Sequence, residues 1–386
     1  MSVTAPRGFR AAGVTAGLKK SGRPDLALVV NDGPLDVAAG VFTTNRVQAA
    51  PVLWSRTAVG DGRACAVILN SGGANACTGS GGFLDSHTTA EHVAAVLGVG
   101  AADVLVCSTG LIGERLAMPV LLLGVDAAAA ALGVTGGPDA AAAICTTDTV
   151  PKETVQRGEG WSIGGMAKGA GMLNPALATM LVVLTTDAVL DAGMADAALR
   201  HAVEHSFNRL DSDGCMSTND TVLLLASGAA GASPDAAVFG AALDAACADL
   251  ARQLIADAEG ASHDIAVTVR GATTEGAALA VARAVTSSNL FKAAVFGNDP
   301  NWGRVLAAVG TVPVEVAAYE ADELDVFMNG VQVCRAGGVG EDRSAVDLSG
   351  REVSVVVDLH AGGAEATVWT NDLTHDYVHE NSAYSS

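Results

Sequence analysis

The stretch Lys168-Gly-Ala-Gly-Met-Leu-Asn-Pro-Ala-Leu-Ala-Thr179-Met-Leu has the residue types and spacing of an acyl-transfer nucleophile. A glycine-rich run reaches Asn174-Pro175, and the Ala178-Thr179 bond then opens an apolar segment at 180–184. A threonine hydroxyl is a weak nucleophile that needs an adjacent base, and a threonine at a free chain start carries its own, the α-amine. That amine titrates near pH ~7.7–8.0, so much of it is close to the proton-accepting form at neutral pH. Thr179 is therefore read as a nucleophile, and the Ala178-Thr179 bond as one the chain cuts in itself. An Ala-Thr pair entering an apolar run is ordinarily just the start of a buried strand, because β-branched residues suit strands. Gly169, Gly171 and Pro175 favour the reactive reading, since they allow a strained approach.

An acyl-transfer nucleophile also needs donors for the oxyanion. A buried strand predicted at 103–107 runs into Ser108-Thr109-Gly110-Leu-Ile-Gly113, and strand ends that open into Gly-containing loops suit backbone anion holes. An ordinary strand-to-helix turn is the plain alternative. A long polar loop, 207–220, enters a strand at 221–226, and Glu259 stands just past a predicted helix at 234–258. The loop is as often a solvated turn as functional, and a carboxylate just past a helix end is ordinarily solvated.

The elements that must position these residues follow from periodicity. Strands are predicted at 26–30, 37–42, 64–70, 181–187, 264–269, 353–359 and 365–370, and helices at 85–97, 116–132, 140–145, 191–205 and 273–287. Residues 151–168 fit a hairpin turning at 157–160, and 296–304 reads as a turn cluster before another helix. The pattern is α/β, and 386 residues allow two lobes.

Composition excludes several classes. The net charge of −20 and an aromatic content of 4% argue against a nucleic-acid or anionic-membrane surface. The apolar run at 118–132 is broken by Asp126 and too short to span a bilayer, and the first residues do not read as a secretory signal, so a cytoplasmic protein is expected. The seven cysteines are scattered and never Cys-x-x-Cys, which predicts small buried thiols. His201-Ala-Val-Glu-His205 lacks a glutamate directly after the first histidine and a third ligand, so no metal site is assigned.

Together with Asn70-Ser-Gly-Gly-Ala-Asn75-Ala-Cys-Thr-Gly, Ser108-Thr-Gly-Leu-Ile-Gly, Thr146-Thr-Asp-Thr, Ser217-Thr-Asn-Asp220, Gly297-Asn-Asp-Pro-Asn-Trp-Gly-Arg304 and Asp372-Leu-Thr374, the Thr179 stretch resembles the ArgJ family of ornithine acetyltransferases, or glutamate N-acetyltransferases, across nearly the whole chain. The resemblance implies a sandwich of β-sheets and helices, akin in logic to N-terminal-nucleophile folds. It implies self-cleavage into an α fragment, 1–178, and a β fragment, 179–386, which stay in one globular unit and associate as a heterotetramer of two of each. It implies acetyl transfer from N2-acetyl-L-ornithine to L-glutamate through acetyl-Thr179, giving L-ornithine and N-acetyl-L-glutamate. Thr109 and Gly110 match the family's oxyanion hole; Thr146, Lys168, Thr179, Glu259, Asn381 and Ser386 match its substrate-binding positions. No bound cofactor is implied, and acetyl-CoA stays open as a co-substrate. Gly73, where the family commonly has Asn, and the loop around Cys215 depart from the pattern. Two other readings compete: an N-terminal-nucleophile amidohydrolase or aminopeptidase, and an uncleaved amino-acid-binding regulatory protein.

Overall fold

The computed structural model describes residues 2–173 and 180–383. Ala178, Thr179 and Ser386 lie outside the described residues. Two compact units are present, Met1–Asn208 with Cys215–Asp257, and Arg209–Gly214 with Ala258–Ser385.

The first unit contains β1 (Phe9–Val14), β2 (Leu26–Asn31), β3 (Val37–Phe42), β4 (Ala66–Asn70), β5 (Val104–Ser108), β6 (Lys152–Arg157), β7 (Ser162–Lys168), β8 (Leu181–Thr186) and β9 (Thr221–Ala226). Its helices are α1 (Ala50–Ala58), α2 (Gly79–Leu97), α3 (Met118–Ala130), α4 (Gly137–Ile144), α5 (Ala192–Glu204) and α6 (Ala236–Ala256). One sheet has the order β1-β2-β4-β5, the other β3-β9-β8-β7-β6.

Side-chain alternation explains the layering. Along β2, Ala27 and Val29 face one core while Leu26, Leu28 and Val30 face another, the two-residue period of a strand buried on both faces. The first core lies between the sheets and joins Val67, Leu69, Leu105 and Cys107 to Met166, Leu181, Val183, Leu223 and Leu225. The second packs the outer face of the four-stranded sheet on Val93 of α2 and Leu121 and Val125 of α3. Helices α5 and α6 cover the far side of the five-stranded sheet, so helix, sheet, sheet and helix follow one another. Each such fully buried Val or Leu contributes about 1.5–3 kcal/mol.

The second unit adds β10 (Asp264–Ala272), β11 (Asp325–Met328), β12 (Val331–Arg335), β13 (Gly338–Val339), β14 (Glu352–Asp358) and β15 (Ala364–Asn371), in the order β13-β12-β11-β14-β10-β15. Its helices are α7 (Glu275–Thr286), α8 (Asn289–Phe296), α9 (Trp302–Val309) and α10 (His375–Ala383). Ile265, Val267 and Val269 alternate into a core shared with Val281 and Val285 of α7.

The α/β expectation holds, and the hairpin, β6 with β7, closes Arg157 on Ser162 within the predicted turn. β1, β11, β12, β13, α1, α8 and α10 have no counterpart among the predicted segments. α2 starts six residues before the predicted helix because Asn75, through Nδ2, donates to the Gly82 carbonyl (2.8 Å) and ties down a Gly-Ser-Gly-Gly start that propensity disfavours. The cysteine expectation needs correction: Cys107, Cys145, Cys247 and Cys334 are buried, but Cys77 and Cys215 lie on polar loops and are exposed. Among the described residues no helix is long and apolar enough to cross a membrane.

Candidate active site

Parallel strands β4 and β5 end together, Asn70 opposite Ser108, and their C-terminal loops hold each other. Thr109 donates its N–H to the Asn70 carbonyl (3.0 Å), and its own carbonyl accepts the Gly73 N–H (3.0 Å). Gly110 follows at φ 131°, and a Cβ there would stand 2.8 Å from the Gly73 nitrogen. Only glycine suits both the conformation and the approach. Gly73, the departure noted above, serves here through its backbone. Asn219 locks the same corner, donating from Nδ2 to the carbonyls of Ala74 (2.6 Å) and Ser108 (2.8 Å).

Across from this corner β7 ends at Lys168, 2% exposed, whose Nζ donates to Thr109 Oγ1 at 3.3 Å. A hydroxyl that accepts from an ammonium keeps its own proton for another acceptor. The predicted oxyanion donor and the predicted carboxylate partner are thus in contact, one from each sheet. Burial pushes the Lys168 ammonium below its ordinary pKa, opposed chiefly by the charge of Asp148 and reinforced by that of Lys152.

Asp148 organises the floor of this region. Its Oδ1 accepts from Lys152 Nζ (2.7 Å) and from the Gly169 N–H (2.7 Å), and its Oδ2 accepts the Thr146 N–H (2.9 Å). One carboxylate therefore fixes Thr146 and the residue after Lys168, two predicted substrate positions. Burial alone would raise its pKa, but the charges of Lys168 and Lys152 and these hydrogen bonds bring it down to about 2. Lys152 is fully buried and also bonds Asp257 Oδ2 (2.5 Å). From outside, Lys19 Nζ donates to the Cys145 carbonyl and Arg23 Nη2 to the Thr146 carbonyl (2.9 Å). Burial, with Arg23 nearby, lowers the Lys19 pKa to about 8.

Beyond Gly169, Met172 takes φ 55°, a left-handed conformation uncommon outside glycine, and the described residues run to Leu173. They resume at Met180, whose N–H donates to Asp220 Oδ1 (3.2 Å) just before β8 pairs in parallel with β9.

In the second unit Glu259 Oε2 accepts from Asn381 Nδ2 (3.0 Å). Gly260, at φ 62°, makes this contact possible: a Cβ there would stand 2.2 Å from the Tyr377 nitrogen, so only glycine lets α10 come so close. The Thr374 hydroxyl pins the Gly260 carbonyl (2.6 Å).

The geometry brings together Thr109, Gly110, Lys168 and Thr146 in one unit, and Glu259 with Asn381 in the other. Sequence reasoning passed over Asp148, Lys152, Asp257 and Asn219 as site-building residues. Asp148 and Asn219 stood inside quoted motif blocks; Asp257 carried no local signal. His201 pairs with Asp244 (Nδ1 to Oδ1, 3.1 Å) and stacks on His205 with ring centroids 4.2 Å apart. Among the described residues no group of three or more His, Cys, Asp or Glu could hold a metal ion.

The profile described as ArgJ family matches residues 10–386. The arginine biosynthesis bifunctional protein ArgJ of Thermobifida fusca is 62% identical over 386 residues, covering 100% of both chains. The protein of the same name from Streptomyces coelicolor is 62% identical over 386 residues with the same full coverage. The structure of Mycobacterium tuberculosis ornithine acetyltransferase complexed with ornithine is 57% identical over 47% of this chain and 96% of that one, with a TM-score of 0.45. A family profile and relatives that align from end to end, over a chain whose Thr109, Gly110 and Lys168 meet at one corner, place it: the chain belongs to the ArgJ family.

Proposed function

We propose that the protein is a self-cleaving acetyltransferase of arginine biosynthesis that moves acetyl from N2-acetyl-L-ornithine to L-glutamate through acetyl-Thr179. The observation that carries this reading is the buried Lys168 ammonium against the Thr109 hydroxyl, beside the sharply turned Gly110 backbone. This corner supplies what acyl transfer needs beside a nucleophile.

After the cut, the Thr179 α-amine assists attack of its hydroxyl on the acetyl amide. The oxyanion is met by the Gly110 N–H and the Thr109 hydroxyl, whose proton Lys168 leaves free. Such donors act through preorganisation, and losing one raises the barrier by about 2.7–4 kcal/mol. Ornithine leaves, glutamate enters and its amine takes the acetyl group. Lys168 offers a fixed charge for the α-carboxylate that donor and acceptor share, and Thr146 flanks it. Glu259 pairs by charge with the side-chain amine of ornithine, and Asn381 holds the Glu259 carboxylate. Ser386 completes this binding set in the same proposal, and the active form is two 1–178 and two 179–386 fragments.

Deacetylation of acetylornithine, measured with and without glutamate, tests the transfer. Ping-pong kinetics and strong dependence on glutamate are expected; fast deacetylation indifferent to glutamate would make the protein an amidohydrolase. A second donor follows from the name its full-length relatives bear, bifunctional. Acetyl-CoA with glutamate should then also yield N-acetylglutamate, and an absence of product would restrict the protein to recycling.

A further inference from the structure

Asp220 is a buried carboxyl that the mechanism above does not use. It is 0% exposed and stands directly before β9, at the corner where β8 and β9 start side by side. The backbone there is fixed on both flanks: the Thr43 N–H donates to the Asp220 carbonyl (3.0 Å), and the Thr221 N–H to the Met180 carbonyl (3.1 Å). Its Oδ1 accepts the Met180 N–H (3.2 Å). Its Oδ2 is enclosed and has no hydrogen-bond partner among the described residues. The hydroxyls of Thr43 and Ser217 stand beside the carboxyl, yet Thr43 Oγ1 donates its proton to the Ser217 carbonyl (2.8 Å). The charged group that faces it is Lys168, from β7, already engaged with Thr109.

An unsatisfied carboxylate oxygen in a protein interior is costly, and such groups concentrate where chemistry needs them. The place of this one is specific. The nitrogen that Asp220 holds is bonded to the carbonyl carbon of Thr179. Self-cleavage lacks a base, because no free α-amine exists before the cut.

We propose that Asp220 carries the proton of self-cleavage. Its carboxylate takes the Thr179 Oγ proton as Oγ bonds to the Ala178 carbonyl carbon. It returns that proton to the Thr179 nitrogen as the carbon–nitrogen bond breaks. The result is an Ala178 ester on Oγ and a free amine, with Asp220 restored. Water then hydrolyses the ester, its hydroxyl going to Ala178 and its proton to Oγ. Burial outweighs the Met180 N–H, the two hydroxyls and the Lys168 charge, and holds the carboxyl well above its ordinary pKa. A carboxyl shifted toward the working pH is suited both to take and to give a proton.

The proposal rests on the self-cleavage reading, and the experiment separates the two. Asn at 220 keeps an oxygen for the Met180 N–H and fills the space of Oδ2 but cannot take a proton. Full-length chain is made by pulse-labelled cell-free translation, and cleavage is followed by denaturing electrophoresis across about pH 4 to 8. D220N should fold with an unchanged or higher melting temperature and cleave roughly 100-fold or more slowly. The wild-type rate should rise with pH until Asp220 ionises and then level. A D220N chain that cleaves at the wild-type rate overturns the proposal. If D220N fails to fold, the wild-type profile decides, and a rate flat across the range overturns it. A wild-type chain that stays full length, like the T179A control, defeats the self-cleavage reading itself.

Discussion

Asp148 and Asp220 are the same residue in the same compact unit, both shut away from water, and their proton affinities are driven in opposite directions. Asp148 meets three donors and two lysine charges, which hold its pKa at about 2. Asp220 meets one amide on Oδ1, has the Thr43 and Ser217 hydroxyls beside it and no hydrogen-bond partner on Oδ2 among the described residues, and burial raises its pKa well above the ordinary value. Burial penalises both ions, so the donors decide the outcome. The first carboxylate is a permanent charge that fixes the loop of Thr146 and the end of β7. The second is left able to exchange a proton beside Met180, just before β8.

Removing each carboxylate should break the comparison open. Asp148→Ala strands Lys152 with Asp257 alone and should cost about 3–5 kcal/mol in urea unfolding, the usual penalty for breaking a buried pair. Asp220→Asn should cost nothing or stabilise; an equal loss at both positions would end the distinction. Next in size is Thr109→Val, which takes away one oxyanion donor while leaving the fold. It should lower kcat roughly 100-fold to 1000-fold, and because it also takes the acceptor from the buried Lys168 ammonium it should lower the melting temperature.

The pH dependence sharpens the contrast, because the signs differ. The folded pKa of Asp148 lies below its ordinary value of 3.8, so its stabilisation is complete above that value and is lost as pH falls toward about 2. Asp148→Asn should flatten unfolding free energy over that window. Asp220 binds its proton more tightly when folded, so its contribution is present below its ordinary value of 3.8 and declines as pH rises through its raised folded pKa. The advantage of Asp220→Asn over wild type should therefore grow with pH. The smallest effect belongs to Asn381→Ala, which removes an exposed hydrogen bond. It should change stability by under about 1 kcal/mol while raising KM for acetylornithine.

Much of the fold was legible from local pattern. The apolar runs of β2, β8 and β9, the alternation in β10 and β14 and the β6–β7 turn all record interactions within a few residues. β1 and α1 were not legible, since Phe9–Val14 and Ala50–Ala58 acquire their partners from distant sheet and helix faces.

The sequence by itself determined the strand and helix periods, the motif blocks and the chemistry that Lys168, Thr109, Gly110 and Thr179 could perform. Tertiary structure decided which of these residues meet. Lys168 reaches Thr109 over 59 residues, Lys152 reaches Asp257 over 105, and Asp220 reaches Met180 over 40. Those pairings depend on two sheets facing each other and on β8 lying parallel to β9. The physical reason is that a residue's type fixes whether it can carry charge, whereas its pKa depends on donors and burial that only the packed chain supplies.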